Sequence, residues 1–181
     1  MNSAEIATKG VSWVIGSASD LGTVQPGLQI LKDMQIPVVT RVLSAHRTPD
    51  ETVEFVKSLE SRNVGVVIAA AGLAAHLPGV VAAHTRLPVI GLPISAGPLN
   101  GMDALLSIVQ MPPGIPVACV GIDAAANAAL LAVRILAVFD SRLAESLDAY
   151  RETRRLRVLD HEFNSSDTNS SDTEFSDTNG G

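Results

Sequence analysis

The chain has 181 residues, 46% of them apolar and 18% charged, enough to bury one well-packed α/β core and too few for two. Its net charge of −6 is concentrated at one end: residues 164–181 hold four acids and no base, leaving 13 basic against 15 acidic side chains in the first 163 residues. The absence of a basic stripe and the low aromatic content of 3% argue against nucleic acid as a partner. The interior must be filled by Ala, Val, Leu and Ile, which favours close helix approach and broad subunit contacts. The single cysteine, Cys119, lies in the apolar run Val117-Ala118-Cys119-Val120. It excludes an internal disulfide and reads as a buried structural thiol in a reducing cytoplasm. Met1 to Gly10 has no apolar export segment, and the Ala-rich stretch 124–139 is interrupted by Asn127 and Arg134, so neither a membrane span nor an export signal is expected.

Short β-branched runs alternate with helical patterns along the chain. Val11 to Ile15 reads as the first strand. It feeds Gly16-Ser17-Ala18-Ser19-Asp20, where glycine permits a tight turn and two hydroxyls can meet phosphate or sugar oxygens. Asp20 can cap the next helix or bind ribose hydroxyls. Val24, Leu28 and Leu31 then recur at helical spacing. Val38 to Leu43 is the second strand, followed by Ser44-Ala45-His46-Arg47 and a helix start at Thr48-Pro49-Asp50-Glu51: a cap residue, proline at the first helical position and two acids in the first turn. Arg47 can fork onto phosphate oxygens ahead of that start, and the imidazole of His46 gives and takes a proton near neutral pH. Phe55, Val56 and Leu59 supply the helix's apolar stripe.

Val64 to Ala69 is the third strand, and its loop, Ala71 to Gly79, has small residues that let backbone approach a ligand, with His76 near its end. His76 ranks below His46, because a lone imidazole on an apolar loop is more often held by a backbone bond than catalytic. His84 sits at a helix end, where a cation is favoured, and His161 borders the tail. Pro88 to Leu92 and Pro116 to Ile122 complete five mostly parallel strands, with helices over about 101–109, 124–139 and 141–159, the last a polar element available for docking on a neighbouring subunit. After Phe163 a polar five-residue repeat cannot bury enough apolar surface to offset chain ordering. Residues 1–163 therefore read as one α/β domain with a C-terminal helical extension, and 164–181 as a disordered acidic tail.

In an open parallel sheet, ligands gather beyond the carboxyl ends of the strands, so the loops after the first three strands form one candidate site. The first loop lacks G-x-G-x-x-G spacing and the second strand ends without a ribose-binding acid, which disfavours NAD. No Walker-type run exists, so ATP hydrolysis is not expected. No His, Cys or carboxylate spacing suggests a metal, and no Ser-His-acid order is apparent.

Taken together, Gly16-Ser17-x-Ser19-Asp20, Ser44-Ala45-His46-Arg47-Thr48-Pro49 and Ala74-Ala75-His76-Leu77-Pro78-Gly79 resemble the N5-carboxyaminoimidazole ribonucleotide mutases, small carboxylases of purine biosynthesis. The runs Ser107 to Pro112, Gly114 to Val117 and Asn127 to Ala132 are similar to the same family, and the resemblance covers about 11–159. It implies a flavodoxin-like three-layer α/β/α subunit in a homo-octamer, with no metal and no organic cofactor, acting on a carboxylated aminoimidazole ribonucleotide. His46 would be the general acid and base. Ser17, Asp20 and Arg47 would hold the ribose phosphate end, with Ser19 and Ser44 assisting, while His76 would help line the carboxylate pocket and Gly72 is a further substrate-binding residue. The implied reaction loses carbon dioxide from the exocyclic nitrogen, keeps it enclosed and attaches it to the neighbouring ring carbon. The alternatives are direct carboxylation of the uncarboxylated nucleotide by carbon dioxide and a non-catalytic nucleotide-binding relative. The chain departs from the family's Gly-Ala-Gly-Gly-Ala-Ala-His at Ala70 and Leu73, where a needed positive φ would cost Leu73 on the order of 1 to 3 kcal/mol or narrow the pocket. Gly97-Pro98 and Ala104 are lesser departures.

Overall fold

The computed structural model describes residues 8–160, so His161 and the tail expected over 164–181 lie outside the described residues. Strands β1 (Gly10–Ile15), β2 (Val38–Val42), β3 (Val64–Gly72), β4 (Val89–Ile94) and β5 (Ala118–Cys119) form one sheet in the order β2-β1-β3-β4-β5. Every pairing is parallel, where the sequence suggested only mostly parallel. This is the flavodoxin-like doubly wound order, and its switch point lies between β1 and β3.

β1 and β3 are covered on both faces, which explains their uninterrupted apolar runs. Val11, Trp13, Ile15, Val66, Ile68 and Ala70 pack in one layer with residues of α1 (Leu21–Asp33) and α5 (Ala125–Ala137). Val14, Val67 and Ala69 pack in the other with α2 (Pro49–Ser58), α3 (Leu77–Ala83) and α4 (Met102–Val109). The scarcity of aromatics shows its effect in the first layer. A Cβ on Gly27 of α1 would stand 2.6 Å from the Ala125 carbonyl oxygen and 2.8 Å from Trp13 Cζ2, so the helices meet at a spacing that admits only hydrogen there.

Some expectations needed correction. The fifth strand, read as Pro116 to Ile122, pairs with β4 only at Ala118 and Cys119. Pro116 has no N–H for the ladder, and the chain turns away through Asp123 at φ 56°. Because β5 is an edge, Cys119 is only partly buried; that desolvation still pushes its thiol pKa above the ordinary value. β3 runs on through Gly72 because Ala70, Ala71 and Gly72 pair with Leu92, Pro93 and Ile94. Leu77-Pro78-Gly79, assigned to a loop, is the first turn of α3, with proline tolerated where helical N–H groups have no partner. His84 does close α3, with Nδ1 2.8 Å from the Val80 carbonyl.

Two compact units divide the chain, one through Leu147 and the other from Asp148 onward. The last helix, α6 (Ser141–Leu159), buries Leu143 and Leu147 in the first unit. In the second, Arg155 pairs with Glu152 at 2.8 Å and Arg154 lies over the Tyr150 ring. Among the described residues no helix is long and apolar enough to cross a membrane.

Candidate active site

Three chain reversals at the carboxyl ends of β1, β2 and β3 build the site. After β1, Ser17 adopts an extended conformation and its Oγ accepts the Ser19 N–H, opening a 3-10 turn over Ala18–Asp20. Ser19 Oγ lies 2.8 Å from Ser17 Oγ and 3.0 Å from Asp20 Oδ1, so three polar side chains crowd one short turn. Asp20 does occupy the position ahead of α1, but its side chain makes no capping bond, so its carboxylate remains available at the rim.

The loop after β2 is closed by Thr48. Its Oγ1 accepts the Ser44 N–H at 2.9 Å and donates to the Ser44 carbonyl at 3.1 Å, while its own N–H donates to that carbonyl at 2.8 Å. Thr48 does hold the N-cap position of α2, but its hydroxyl makes no capping bond and ties the loop shut instead, and Pro49, Asp50 and Glu51 start α2 as expected. His46 and Arg47 stand within this closed loop. Arg47 donates from Nε to Ser44 Oγ and from Nη2 to the Gly16 carbonyl, each at 3.4 Å, and its N–H donates to Ser44 Oγ at 3.3 Å. These are long bonds to neutral acceptors, and among the described residues no carboxylate pairs with Arg47. The guanidinium keeps its charge-assisted bonding capacity for a ligand.

After β3, Leu73 turns the chain with φ 55°, and the Ala75 N–H donates to the Leu73 carbonyl at 2.8 Å. The turn brings His76 back to the second loop, where His46 Nε2 lies 2.6 Å from His76 Nδ1, with the ring planes at 75°. One of these nitrogens must carry the hydrogen and the other the lone pair, so the facing atoms share one proton. His76 thus meets a side chain rather than the backbone group more usual for a lone imidazole. Its partner lies 30 residues away, a pairing that no local pattern announces.

These loops surround one cavity of about 480 Å³. All eight residues singled out from the sequence line it: Ser17, Ser19, Asp20, Ser44, His46, Arg47, Gly72 and His76. The position matches the rule that ligands bind beyond the strand ends at a switch point. Ala96, from the loop after β4, also lines it and lies outside every motif quoted from the sequence. Asp123 also escaped notice: its Oδ1 accepts the Ser95 N–H at 2.9 Å and anchors the fourth loop from beyond β5. An acid just past the last strand was the available signal. Among the described residues no cluster of three or more His, Cys, Asp or Glu is arranged to hold a metal ion.

Known proteins resemble this chain along most of its length. The family model described as AIR carboxylase matches residues 10–156. A Pyrococcus abyssi protein named N5-carboxyaminoimidazole ribonucleotide mutase is 53% identical over 142 residues, covering 78% of this chain and 82% of that one. The Bacillus subtilis protein of the same name is 49% identical over 152 residues, covering 83% and 94%. The crystal structure of Treponema denticola PurE superposes with a TM-score of 0.76 at 31% identity, covering 82% of this chain and 93% of that one. With the switch-point cavity, the three signature loops and this similarity in agreement, the chain belongs to the AIR carboxylase family.

Proposed function

We propose that this chain is an N5-carboxyaminoimidazole ribonucleotide mutase, an isomerase of purine biosynthesis that moves a carboxyl group from the exocyclic nitrogen of its nucleotide to the neighbouring ring carbon. The observation that carries the residue roles is the His46–His76 contact at 2.6 Å in the same cavity as the Arg47 guanidinium, whose bonds go only to neutral acceptors among the described residues. It joins a proton-transfer device to an anion anchor in one cavity.

The atoms balance within the substrate. The N–CO₂ bond breaks, carbon dioxide leaves, and the nitrogen takes a proton. The ring carbon then uses the electron pair of its enamine-like double bond to form the new C–C bond and gives up its hydrogen. The net change is one carboxyl group moved one way and one proton the other. His46 carries that proton, and His76 supplies or receives it through the shared nitrogen contact. Arg47, Ser17 and Asp20 hold the ribose phosphate end, assisted by Ser19 and Ser44: the guanidinium forks onto phosphate oxygens and the carboxylate accepts sugar hydroxyls. Gly72 and His76 border the carboxyl group. Holding the ring carbon and the freed carbon dioxide in contact makes the second step effectively unimolecular.

The same reading includes a cytoplasmic octamer. Support for assembly comes from α4, where Met102, Leu106 and Val109 fall on one helical face and are each about half exposed, with Leu99 just ahead of them. A mass equal to one 18.9 kDa chain by light scattering would remove that part of the reading.

The deciding assay gives the purified chain the N-carboxylated nucleotide in one vessel and the uncarboxylated nucleotide with bicarbonate in another, both without ATP. Conversion in the first vessel alone is the expected result. Conversion that requires only the second would make the protein a direct carboxylase, and binding without conversion in either would make it a nucleotide-binding relative.

A further inference from the structure

Leu73 sets a problem that the turn it occupies does not solve. Of the non-glycine residues with positive φ among those described, Gln35, Asn63, Asn100 and Asp123 are polar, and Leu73 alone is apolar. Asn and Asp tolerate this conformation through local hydrogen bonds, whereas leucine gains nothing in return for the steric cost. The side chain is also 51% exposed, so folding buries little of its surface. Glycine would make the same turn without strain and keep the bond from the Ala75 N–H to the residue 73 carbonyl. Strain of this kind at a site rim points to a task for the side chain.

The side chain reaches the loop after β4. There Gly97 has φ 65°, and a Cβ on it would lie 2.9 Å from Leu73 Cδ2. A side chain at position 97 would need the Leu73 side chain to swing aside. Beside them a Cβ on Gly72 would lie 3.1 Å from the Ala96 Cβ. Gly72, Leu73 and Ala96 line the cavity here, with Gly97 against Leu73, and no charged side chain is among them. Asp20, Arg47 and the imidazoles line the same cavity.

Resting on the mutase reading above, we infer that Leu73 is a retention residue: with Gly97 it seals the apolar flank of the cavity, so that carbon dioxide freed from nitrogen is captured by the ring carbon before it escapes. Carbon dioxide has no net charge, so neither Arg47 nor the imidazoles can hold it strongly. Only walls that leave no exit can. A hydrocarbon side chain on the rim provides such a wall and excludes water from the reacting atoms.

The test uses the full chain with N-carboxylated nucleotide in buffer enriched in ¹³C-bicarbonate, with the spontaneous decarboxylation rate of an enzyme-free control subtracted. Two quantities are read: the fraction of consumed substrate released as uncarboxylated nucleotide, and the ¹³C content of the product's new carboxyl group. In Leu73→Gly both rise by about threefold to tenfold, because the wall is gone while the turn survives. Leu73→Met, which refills the space with unbranched hydrocarbon, returns both to within about twofold of the parent chain. Thermal unfolding of Leu73→Gly stays at or above the parent midpoint, which separates a leak from misfolding. Parental partitioning and label content in Leu73→Gly would overturn the inference, as would a leak in Leu73→Met equal to that in Leu73→Gly. The parent chain reports separately on the underlying reading: if it converts no N-carboxylated nucleotide, the mutase assignment fails and retention falls with it.

Discussion

The seam between α1 and α5 and the rim of loops above β1, β2 and β3 solve opposite problems. At the seam, Gly27 lets α1 come so close to Ala125 and Trp13 that a methyl group would not fit, and Ala128, Ala129 and Ala132 are fully buried in the same layer. At the rim, Arg47 keeps weakly used donors, Asp20 leaves its capping role unfilled, and Leu73 sits strained with an exposed side chain. The seam gains stability by leaving no space, and the rim gives some up to keep groups ready for a ligand. A substitution should accordingly affect either stability or chemistry according to the region it falls in.

The largest effect belongs to the rim. His46→Asn should lower turnover by about a hundredfold to ten-thousandfold, since the proton carrier is lost, while nucleotide affinity stays within about tenfold and the unfolding midpoint does not move. Turnover near the parental rate would remove His46 from its role. Arg47→Ala should come next, raising the concentration for half-saturation by about tenfold to a hundredfold with a smaller change in kcat, because a charge-assisted phosphate contact is worth a few kcal/mol. Saturation at the parental concentration would detach Arg47 from the phosphate.

At the seam the sign reverses. Gly27→Ala, which in an exposed helix interior would gain about 1 kcal/mol, should instead cost about 1 to 3 kcal/mol in urea unfolding with an unchanged slope, because the new methyl meets the Ala125 carbonyl. Turnover per folded molecule should be retained. A stabilised variant would show that the seam has slack. The smallest effect is expected at Ser12 of β1, whose buried hydroxyl has no partner among the described residues, as is also true of Trp13 Nε1. Ser12→Ala should be neutral or stabilising within about 1 kcal/mol, since it removes a polar group that folding desolvates without return. A loss of several kcal/mol would mean that Ser12 bonds something in solution.

Much of this was legible in the residues. The β-branched runs located the strands, and Thr48-Pro49-Asp50-Glu51 located the start of α2. The reading was weaker where a strand lay at the sheet edge: β5 has only one neighbour, so little pairing sustains its expected length. It was weaker too where a side chain had a choice of partner. Thr48 and Asp20 have good capping chemistry, yet Thr48 finds both Ser44 backbone groups and Asp20 finds Ser19. Sequence shows what such groups can bond but not which neighbour wins.

By itself the sequence determined the alternation of strand and helix, the parallel sheet and the identity of the loops that carry chemistry, because periodicity, proline and cap residues act within a few positions. Only the tertiary structure decided that His46 and His76 share a proton, that Asp123 anchors the loop at Ser95, and that Leu73 closes against Gly97. Those meetings depend on how the register and order of β1 to β5 aim loops that are 24 to 30 residues apart, a geometry no local preference encodes.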